Sequence, residues 1–218
     1  CRQICRRAYT VRDRESGEEL VVDNKYIMSP KDLCTVDFLD RFLDAGVRVL
    51  KIEGRARSAD YVKRVVECYD EALRAIEEGT YTPERAEQWK ERLRTVFNRG
   101  FWGGYYMGAR AGEWSRTYGS SATVRKVYVG KVTNYFARIG VIELQVEAAP
   151  LSVGEPVFLT GETTGVVEFV VEEIRVALKP VQEAPQGVLC SIKVPTLIRR
   201  GDKLFKTVPS DEKADRNR

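Results

Sequence analysis

Three of the five cysteines stand where a thiol could act as a ligand: Cys1, Cys5 and Cys34. Cys1 and Cys5 are separated by three residues, and Cys34 lies close to a predicted helix start, where the helix dipole lowers the pKa of a thiol. Thiolates in such surroundings bind soft metals or iron–sulfur clusters. A cluster needs four ligands and only three are available here, so spacing alone leaves a metal site and ordinary thiols as open alternatives.

The other two cysteines belong to patterns that predict burial. Cys68 falls within an amphipathic helical pattern and Cys190 within a strand pattern, so we expect two structural thiols. Five scattered cysteines do not form the framework of a disulfide-rich secreted domain.

A second candidate group alternates along the end of a predicted strand: Lys51, Glu53 and Arg55. Alternate residues of a strand project to the same side, and the carboxyl ends of the strands carry the active site in βα-barrels. The three are therefore candidate catalytic residues. A ladder of surface ion pairs at a strand end is the equally weighted alternative.

Composition narrows the chemistry further. The 218 residues contain no histidine, which excludes an imidazole base or a histidine-ligated metal within this chain. The formal charge of +4 and pI near 8.8 mildly favour an anionic partner such as RNA. No apolar run approaches the roughly 20 residues that span a bilayer, and the first ten residues lack the apolar stretch of a signal peptide, so we expect a cytoplasmic protein.

The elements that would position these residues alternate in type over the first half. Ser29 and Pro30 predict a helix start, and Gly46 predicts its end. Residues 47–52 predict a strand, Ser58 caps a long helix with Tyr61, Val65, Tyr69, Leu73 and Ile76 on one face, and residues 82–96 predict another helix. This is the order of a βα-barrel, so we expect the last βα units of a TIM-like barrel.

The second half has a different pattern. A segment rich in glycine and aromatic residues, 98–108, predicts irregular structure, and polar residues follow up to 121. Beyond them some six short strands are predicted, and we expect a small closed β-barrel because closure removes exposed edges. The predicted strands cover 127–132, 140–146, 157–159, 166–174, 188–194 and 203–206. The expected domains are therefore 1–119 (α/β) and 120–210 (β-barrel), with a disordered tail at 211–218.

Four words in a fixed order carry a family resemblance: CRQICRRAY, YIMSPKDLC, LKIEGRARSADYV and FNRGFWGGY. Together they resemble the collagenase-like peptidase family U32, over about the first 108 residues. An earlier family signature with two further cysteines is missing, which is expected of a C-terminal portion of the catalytic domain. The words VGKVTNY, LSVGEPVFLTGETTG and RRGDKLFK are similar to a β-barrel like the second domain of elongation factor Tu.

The resemblance implies a chemistry. Several members of that family take part in oxygen-independent hydroxylation of transfer RNA, ribosomal RNA or the ubiquinone ring. They use a four-cysteine 4Fe-4S iron–sulfur cluster and prephenate as the hydroxyl source. By position, Cys1 and Cys34 match the third and fourth ligands, whereas Cys5 is an extra cysteine with an open role. The first two ligands would lie upstream, so we expect the cluster to be incomplete in this chain.

Three functions follow as alternatives. The first is RNA hydroxylation, in which Arg55 or Lys51 would pair a carboxylate of prephenate, and Arg199, Arg200 and Lys203 would hold the RNA backbone. The second is a peptidase, although the chain contains neither a Ser–His pair nor a zinc site. The third is a binding module without catalysis. The sequence does not indicate the substrate or the oligomeric state.

Overall fold

A computed structural model describes residues 9–22, 30–108, 113 and 119–210. The chain divides into two compact units, one formed by residues 1–55 with 64–122 and the other by 56–63 with 123–218. Cys1, Cys5 and the predicted tail 211–218 lie outside the described residues. No helix in the described part of the chain is both long and apolar enough to cross a bilayer.

Among the described residues up to 102, the elements are three α-helices, a short 3₁₀ turn and four short strands. In chain order they are β1 (Tyr9–Arg12), β2 (Glu19–Val22), β3 (Asp32–Leu33), the 3₁₀ turn (Val36–Phe38), α1 (Leu39–Asp44), α2 (Ala59–Glu77), α3 (Pro83–Arg94) and β4 (Phe101–Trp102). β1 and β2 form an antiparallel hairpin, and β3 and β4 pair in parallel. The predicted α/β character is confirmed in this mixed form, and a TIM-like barrel stays a prediction.

The first helix begins later than predicted. Ser29 is outside the described residues, and after Pro30 the chain enters β3 and turns helical only at Val36. The reason is that this stretch pairs as a strand: Asp32 donates to the Gly100 carbonyl (2.8 Å) and Cys34 to that of Trp102 (2.9 Å). A residue paired in a ladder has extended backbone angles, which differ from those of a helix.

The predicted end of that helix is confirmed. Gly46 has φ +88°, a conformation that glycine adopts without a Cβ penalty. Its N–H donates to the Leu43 carbonyl, and the N–H of Val47 donates to that of Phe42. These two bonds form a Schellman cap, which satisfies carbonyls at the helix end.

The predicted strand at 47–52 is wrong: these residues have no regular secondary structure, and Val49 is 84% exposed. A strand requires neighbours that complete its hydrogen bonds, and no described segment forms a ladder with these residues. The β-branched residues of this segment favour a strand, but without a pairing partner the strand does not form.

Helices α2 and α3 agree with the sequence patterns. The residues that α2 buries are Val65, Cys68, Ala72 and Ala75. Of the predicted face, Val65 is buried and the other four residues are half-buried. Thr82 caps α3, its hydroxyl accepting from the Arg85 N–H, and Trp89 and Leu93 are buried. Between the helices, the Glu71 carboxylate accepts from the Trp89 indole (3.0 Å) and from Arg92 Nη2 (2.9 Å). The bond from Arg92 holds the pKa of Glu71 below its usual value.

The remaining strands surround one apolar core. They are β5 (Val124–Phe136), β6 (Val141–Val146), β7 (Leu151–Ser152), β8 (Pro156–Gly161), β9 (Gly165–Val170), β10 (Ile174–Val176), β11 (Lys179–Val181), β12 (Glu183–Ala184), β13 (Leu189–Lys193) and β14 (Lys203–Pro209). Eight form an antiparallel sheet in the order β11-β10-β13-β6-β5-β14-β8-β9, and β7 pairs with β12. Inward side chains from these strands form a single buried cluster that includes Val132, Ile142, Leu159 and Leu204.

Two details of the predicted β domain differ from the structure. The segment 166–174 is not one strand, because β9 lies at one edge of the sheet and β10 lies next to the opposite edge. Between them the N–H of Val171 bonds the Glu155 carbonyl and leaves the ladder. The described pairing does not join edge strands β11 and β9, so the large antiparallel sheet is confirmed while a closed barrel stays a prediction.

One buried carboxylate organises the turn into β14. Asp202 is 6% exposed, and its Oδ2 accepts from the Arg199 N–H (2.9 Å) and from the Thr164 hydroxyl (2.6 Å). Its other oxygen occupies the space that a Cβ on Gly161 would need, at 1.8 Å. Gly161 is therefore required because a side chain there would collide with Asp202. Gly201, in the turn that contains Asp202, is required for a different reason: its φ is +95°, a conformation that favours glycine.

Thr164→Ala should lower the free energy of unfolding by about 2 kcal/mol, because it leaves the buried Asp202 carboxylate with one partner fewer. Thr163→Ala is the matched control, since Thr163 is exposed and should change stability by less than about 0.5 kcal/mol. Urea unfolding monitored by circular dichroism measures both. Equal effects of the two variants would contradict this role for Asp202.

Candidate functional site

Two of the family-like words meet in space. Residues 31–34 and 99–104 lie side by side, joined by the β3–β4 pair in which Asp32 is opposite Phe101 and Leu33 opposite Trp102. Gly104 has φ +66°, and a Cβ there would lie 2.9 Å from the Leu33 side chain. The glycine thus permits the close approach of the two segments, and Cys34 lies at the end of this pairing.

An ion pair reinforces the pairing. The Arg99 backbone N–H donates to Asp32 Oδ2 (3.0 Å), and Arg99 Nε and Nη2 donate to Oδ1 at 3.3 and 3.1 Å. The two side chains are 24% and 18% exposed, so water competes weakly for them. Three bonds between one carboxylate and one residue fix the register of β3 against β4.

Cys34 is buried against neighbouring polar groups. It is 4% exposed, and it interacts with the hydroxyl of Tyr69, which also accepts a hydrogen bond from the Thr35 N–H (3.0 Å). Asp37 and Lys90 form an ion pair near the thiol: the charge of Asp37 raises the pKa of Cys34 and the charge of Lys90 lowers it. The surroundings of Cys34 therefore consist of one phenol, one charge pair and apolar packing.

The predicted direction of the Cys34 pKa is wrong. Burial disfavours the thiolate and raises the pKa of Cys34, and this outweighs the backbone hydrogen bond near Val36, which lowers it. Burial likewise raises the pKa of Tyr69. At neutral pH Cys34 is therefore a protonated thiol, and a metal that binds it must displace that proton.

The expected structural cysteines are confirmed. Cys68 is fully buried and Cys190 is 2% exposed, and burial raises the pKa of each to about 11. Cys34, Cys68 and Cys190 are all free thiols.

Lys51, Glu53 and Arg55 are exposed and belong to a segment without regular secondary structure. The Glu53 carboxylate accepts from the Arg55 backbone N–H at 2.6 Å. Among the described residues none of the three forms an ion pair, so the alternative of a surface ion-pair ladder does not hold in this structure. The side chains of Lys51 and Arg55 remain available to an anion, and the catalytic assignment stays a prediction.

Arg199, Arg200 and Lys203 lie close together around the turn that leads into β14. Arg199 and Arg200 lie in the turn that Asp202 holds, and Lys203 is the first residue of β14. All three are exposed. The structure therefore brings the predicted nucleic-acid-binding residues into one region of the second unit.

The predicted metal site can be tested only at Cys34. Within residues 9–22, 30–108, 113 and 119–210, no group of three or more Cys, Asp, Glu or His side chains is arranged to hold a metal ion. Cys1 and Cys5, the other proposed ligands, lie outside the described residues. The assignment of Cys34 as a cluster ligand therefore stays a prediction.

Sequence reasoning missed three residues of this site: Tyr69, Asp32 and Arg99. Tyr69 has the period of the apolar face of α2, so its polar contact with Thr35 was hidden by the helical pattern. Asp32 and Arg99 both belong to the words that carry the family resemblance. Their presence there was the available signal, but only the structure shows that they bind each other.

Arg99→Lys should destabilise the chain by about 2 kcal/mol, because an ammonium cannot reproduce the guanidinium bonds to Asp32. Arg74→Lys is the control: its pair with Asp70 is exposed on α2, so the change should cost less than about 0.5 kcal/mol. The midpoint of urea unfolding gives the comparison. A larger loss for Arg74→Lys would refute the importance of the Asp32–Arg99 pair.

The raised pKa of Cys34 predicts slow alkylation at neutral pH. The reactive thiolate is scarce below the folded-state pKa, so labelling should accelerate only as pH rises beyond the ordinary thiol range. Iodoacetamide labelling with peptide mass spectrometry should show Cys34 reacting at least about 100-fold more slowly in the native chain than in urea. Cys190, equally buried, is the internal reference. Rapid labelling of Cys34 alone would indicate a lowered pKa and contradict the structure.

Comparison with known proteins gives consistent relatives. A collagenase of Porphyromonas gingivalis is 53% identical over 206 residues, which cover 94% of this chain and 50% of the collagenase. An uncharacterized protease of Methanocaldococcus jannaschii is 32% identical over 210 residues, covering 94% of this chain and 51% of that protein. A more distant relative, tRNA hydroxylation protein P1 of Bacillus subtilis, is 28% identical over 150 residues, covering 66% of this chain and 35% of that protein.

The chain thus spans about half the length of the first two relatives. A family model, Peptidase family U32, matches residues 1–116, which include the paired words around Cys34 and Arg99. The family-like words, the pairing that joins two of them and the matched residues agree: the chain belongs to peptidase family U32.

Proposed function

We propose that the protein containing this chain hydroxylates RNA, with transfer RNA as the leading substrate, and that Cys34 is one ligand of a 4Fe-4S cluster. The observation that carries the proposal is the position of Cys34. It lies at the end of a ladder that two family words build, and its backbone N–H donates to the Trp102 carbonyl at 2.9 Å. A tRNA hydroxylation protein among the relatives supports the choice of substrate.

The surroundings of Cys34 suit a ligand better than a nucleophile. A nucleophilic cysteine needs a lowered pKa and access to substrate, and Cys34 has a raised pKa and is 4% exposed. A ligand thiol loses its proton when the metal binds, so a high pKa in the metal-free state is compatible with that role. Cys1 would supply a second thiolate, with Cys5 as an extra thiol beside it.

When bound, such a cluster would supply one-electron redox chemistry. The contribution of the described residues is to bind and orient. Lys51 and Arg55 are exposed cations without ion-pair partners among the described residues, and Arg55 offers a planar guanidinium for a carboxylate such as that of prephenate. Arg199, Arg200 and Lys203 would contact RNA phosphates, and an RNA substrate would place the protein in the cytoplasm.

Proteolysis is the second candidate, and the 53% identical collagenase is the observation that favours it. The described residues offer it little chemistry. Histidine is absent from the chain, Cys34 is buried, and the described part contains no cluster of metal ligands. An accessible cysteine nucleophile would therefore have to come from residues outside those described, and its base could not be a histidine of this chain. A binding role without catalysis remains the third candidate for this chain alone.

The first experiment is the anaerobic absorption spectrum and iron content of the intact protein that contains this chain. We expect broad absorption near ~400 nm, with iron lost in Cys34→Ala and in Cys1→Ala, because each removes a thiolate. Cys190→Ala is the matched control: it removes an equally buried free thiol in the other unit and should retain iron. Circular dichroism confirms that each variant is folded.

Two outcomes would overturn the proposal. One is an iron-free protein whose variants are unchanged, and the other is iron that Cys34→Ala retains. Mass spectrometry of transfer RNA nucleosides from cells lacking the protein tests the reaction itself, and hydroxylated nucleosides should disappear. Gelatin cleavage that persists after iron removal would favour the peptidase.

A further inference from the structure

Two lysines face each other directly across the sheet of the second unit. In the pairing of β14 with β5, Lys203 is opposite Lys131. Directly opposed residues of an antiparallel pair point to the same face, with Cβ atoms roughly 5 Å apart. The neighbours Val132 and Leu204 are fully buried, so the inward face belongs to them and both lysines lie on the outer face.

The Asp202 turn adds two further cations beside this pair. A Cβ built on Gly201 would lie 3.9 Å from Lys131 Cε, so the Lys131 side chain runs alongside the turn that carries Arg199 and Arg200. The backbone of that turn is fixed: Gly201 donates to the Val132 carbonyl (2.8 Å) and Val132 donates to the Asp202 carbonyl (2.9 Å). We call Lys131, Arg199, Arg200 and Lys203 the basic cluster.

No acid compensates the basic cluster among the described residues. All four side chains are exposed, and none forms an ion pair there. The nearest carboxylate in sequence, Asp202, is buried and directed toward Thr164 and the Arg199 N–H. Glu143, on the strand beside β5, accepts from the Thr133 hydroxyl at 2.6 Å.

Such an arrangement works against stability. Like charges placed directly opposite in a sheet repel, and a single acidic residue at either position would convert repulsion into a cross-strand pair. Two other lysines of the second unit have acidic partners: Lys206 pairs with Glu155 and Lys126 with Asp60. Lys179 and Lys193 are exposed and form no ion pair among the described residues, but each stands opposite a valine. Direct opposition of two cations distinguishes Lys131 and Lys203 from them, and it is expected where an anion supplies the missing partner.

We propose that the basic cluster binds the phosphate backbone of RNA and that Lys131, which the sequence patterns did not indicate, is a central contact. This rests on the proposed RNA substrate and deepens it. The residues beside the lysine pair in the same cross-strand row are Gln145 and Thr160, which are polar and not aromatic. The four cations of the cluster recognise phosphate oxygens by charge, and phosphate contacts carry no sequence information.

Lys131→Glu separates binding from folding, because it should move the two in opposite directions. A glutamate opposite Lys203 removes the repulsion, so the Tm should stay equal or rise. The same change removes one cation and neutralises another, so affinity for a transfer RNA transcript should fall about tenfold or more. The negative slope of log K against log salt should become shallower by about 1 to 2. Fluorescence anisotropy of labelled RNA with the 218-residue chain measures the affinity and its salt slope.

Lys179→Glu is the control of equal charge change. Lys179 is exposed on the edge strand β11, and in the sheet order three strands separate β11 from β5. We expect its effect on RNA affinity to be less than about twofold, with an unchanged salt slope. Equal losses in the two variants would reduce the effect to net charge and overturn the proposal. Binding by Lys131→Glu that matches the unmodified chain would also overturn it.

Two further readouts fix the class of ligand and the relation to the proposed function. If polyglutamate competes as well as RNA at equal charge, the cluster recognises acidic protein and the RNA assignment is wrong. The assay requires no iron, so its outcome is independent of the iron measurement. If Lys131→Glu leaves RNA binding unchanged in a protein that contains iron, the RNA-binding role of the basic cluster is refuted and the hydroxylation proposal is not. If the protein contains no iron but its salt slope depends on Lys131, the hydroxylation proposal is refuted and the RNA-binding role is not.

Discussion

The first unit depends on a parallel pairing that is only two residues long on each strand. So short a ladder holds its register poorly, since few backbone bonds oppose a slip. Here the Asp32 carboxylate binds both the backbone and the side chain of Arg99, and Cys34 and Asp32 donate backbone bonds to Trp102 and Gly100. The Asp32–Arg99 ion pair therefore adds to the few backbone bonds that hold the register of the short strands. Cys34 directly follows β3, so its position depends on that register.

Burial of Cys34 links that pairing to chemistry. The thiol is stabilised in its protonated form by desolvation, and the Tyr69 hydroxyl beside it also bonds the Thr35 N–H. A thiol in this state is protected from oxidants and alkylating agents, yet it can still bind a metal that displaces its proton. The same feature that disfavours a cysteine nucleophile is compatible with a ligand, which is why the raised pKa bears on the choice between hydroxylation and proteolysis.

In the second unit a buried carboxylate has a comparable role. Asp202 holds the turn before β14, and the turn places two arginines beside a pair of lysines that repel each other. The interior supplies the stability that allows this arrangement, since residues from many strands share one apolar core. Unfavourable surface charge that the core can tolerate is typical of binding sites, where function and stability make different demands on the same residues.

The sequence by itself determined the features that depend on short-range chemistry. The Thr82 cap, the glycine end of α1 at Gly46 and burial of Cys68 and Cys190 all follow from a residue and its near neighbours, and each is present. Three predictions were wrong: the strand at 47–52, the helix that follows Ser29 and the single strand at 166–174. Each depends on which segments pair as strands, and the local sequence pattern does not show the pairing partner. Tertiary structure alone decided that Asp32 meets Arg99 across 67 residues, that Cys34 is buried and that Lys131 faces Lys203. These contacts arise when distant segments pack and exclude water, so the charge, pKa and exposure of each group are set by neighbours that the linear sequence does not place beside it.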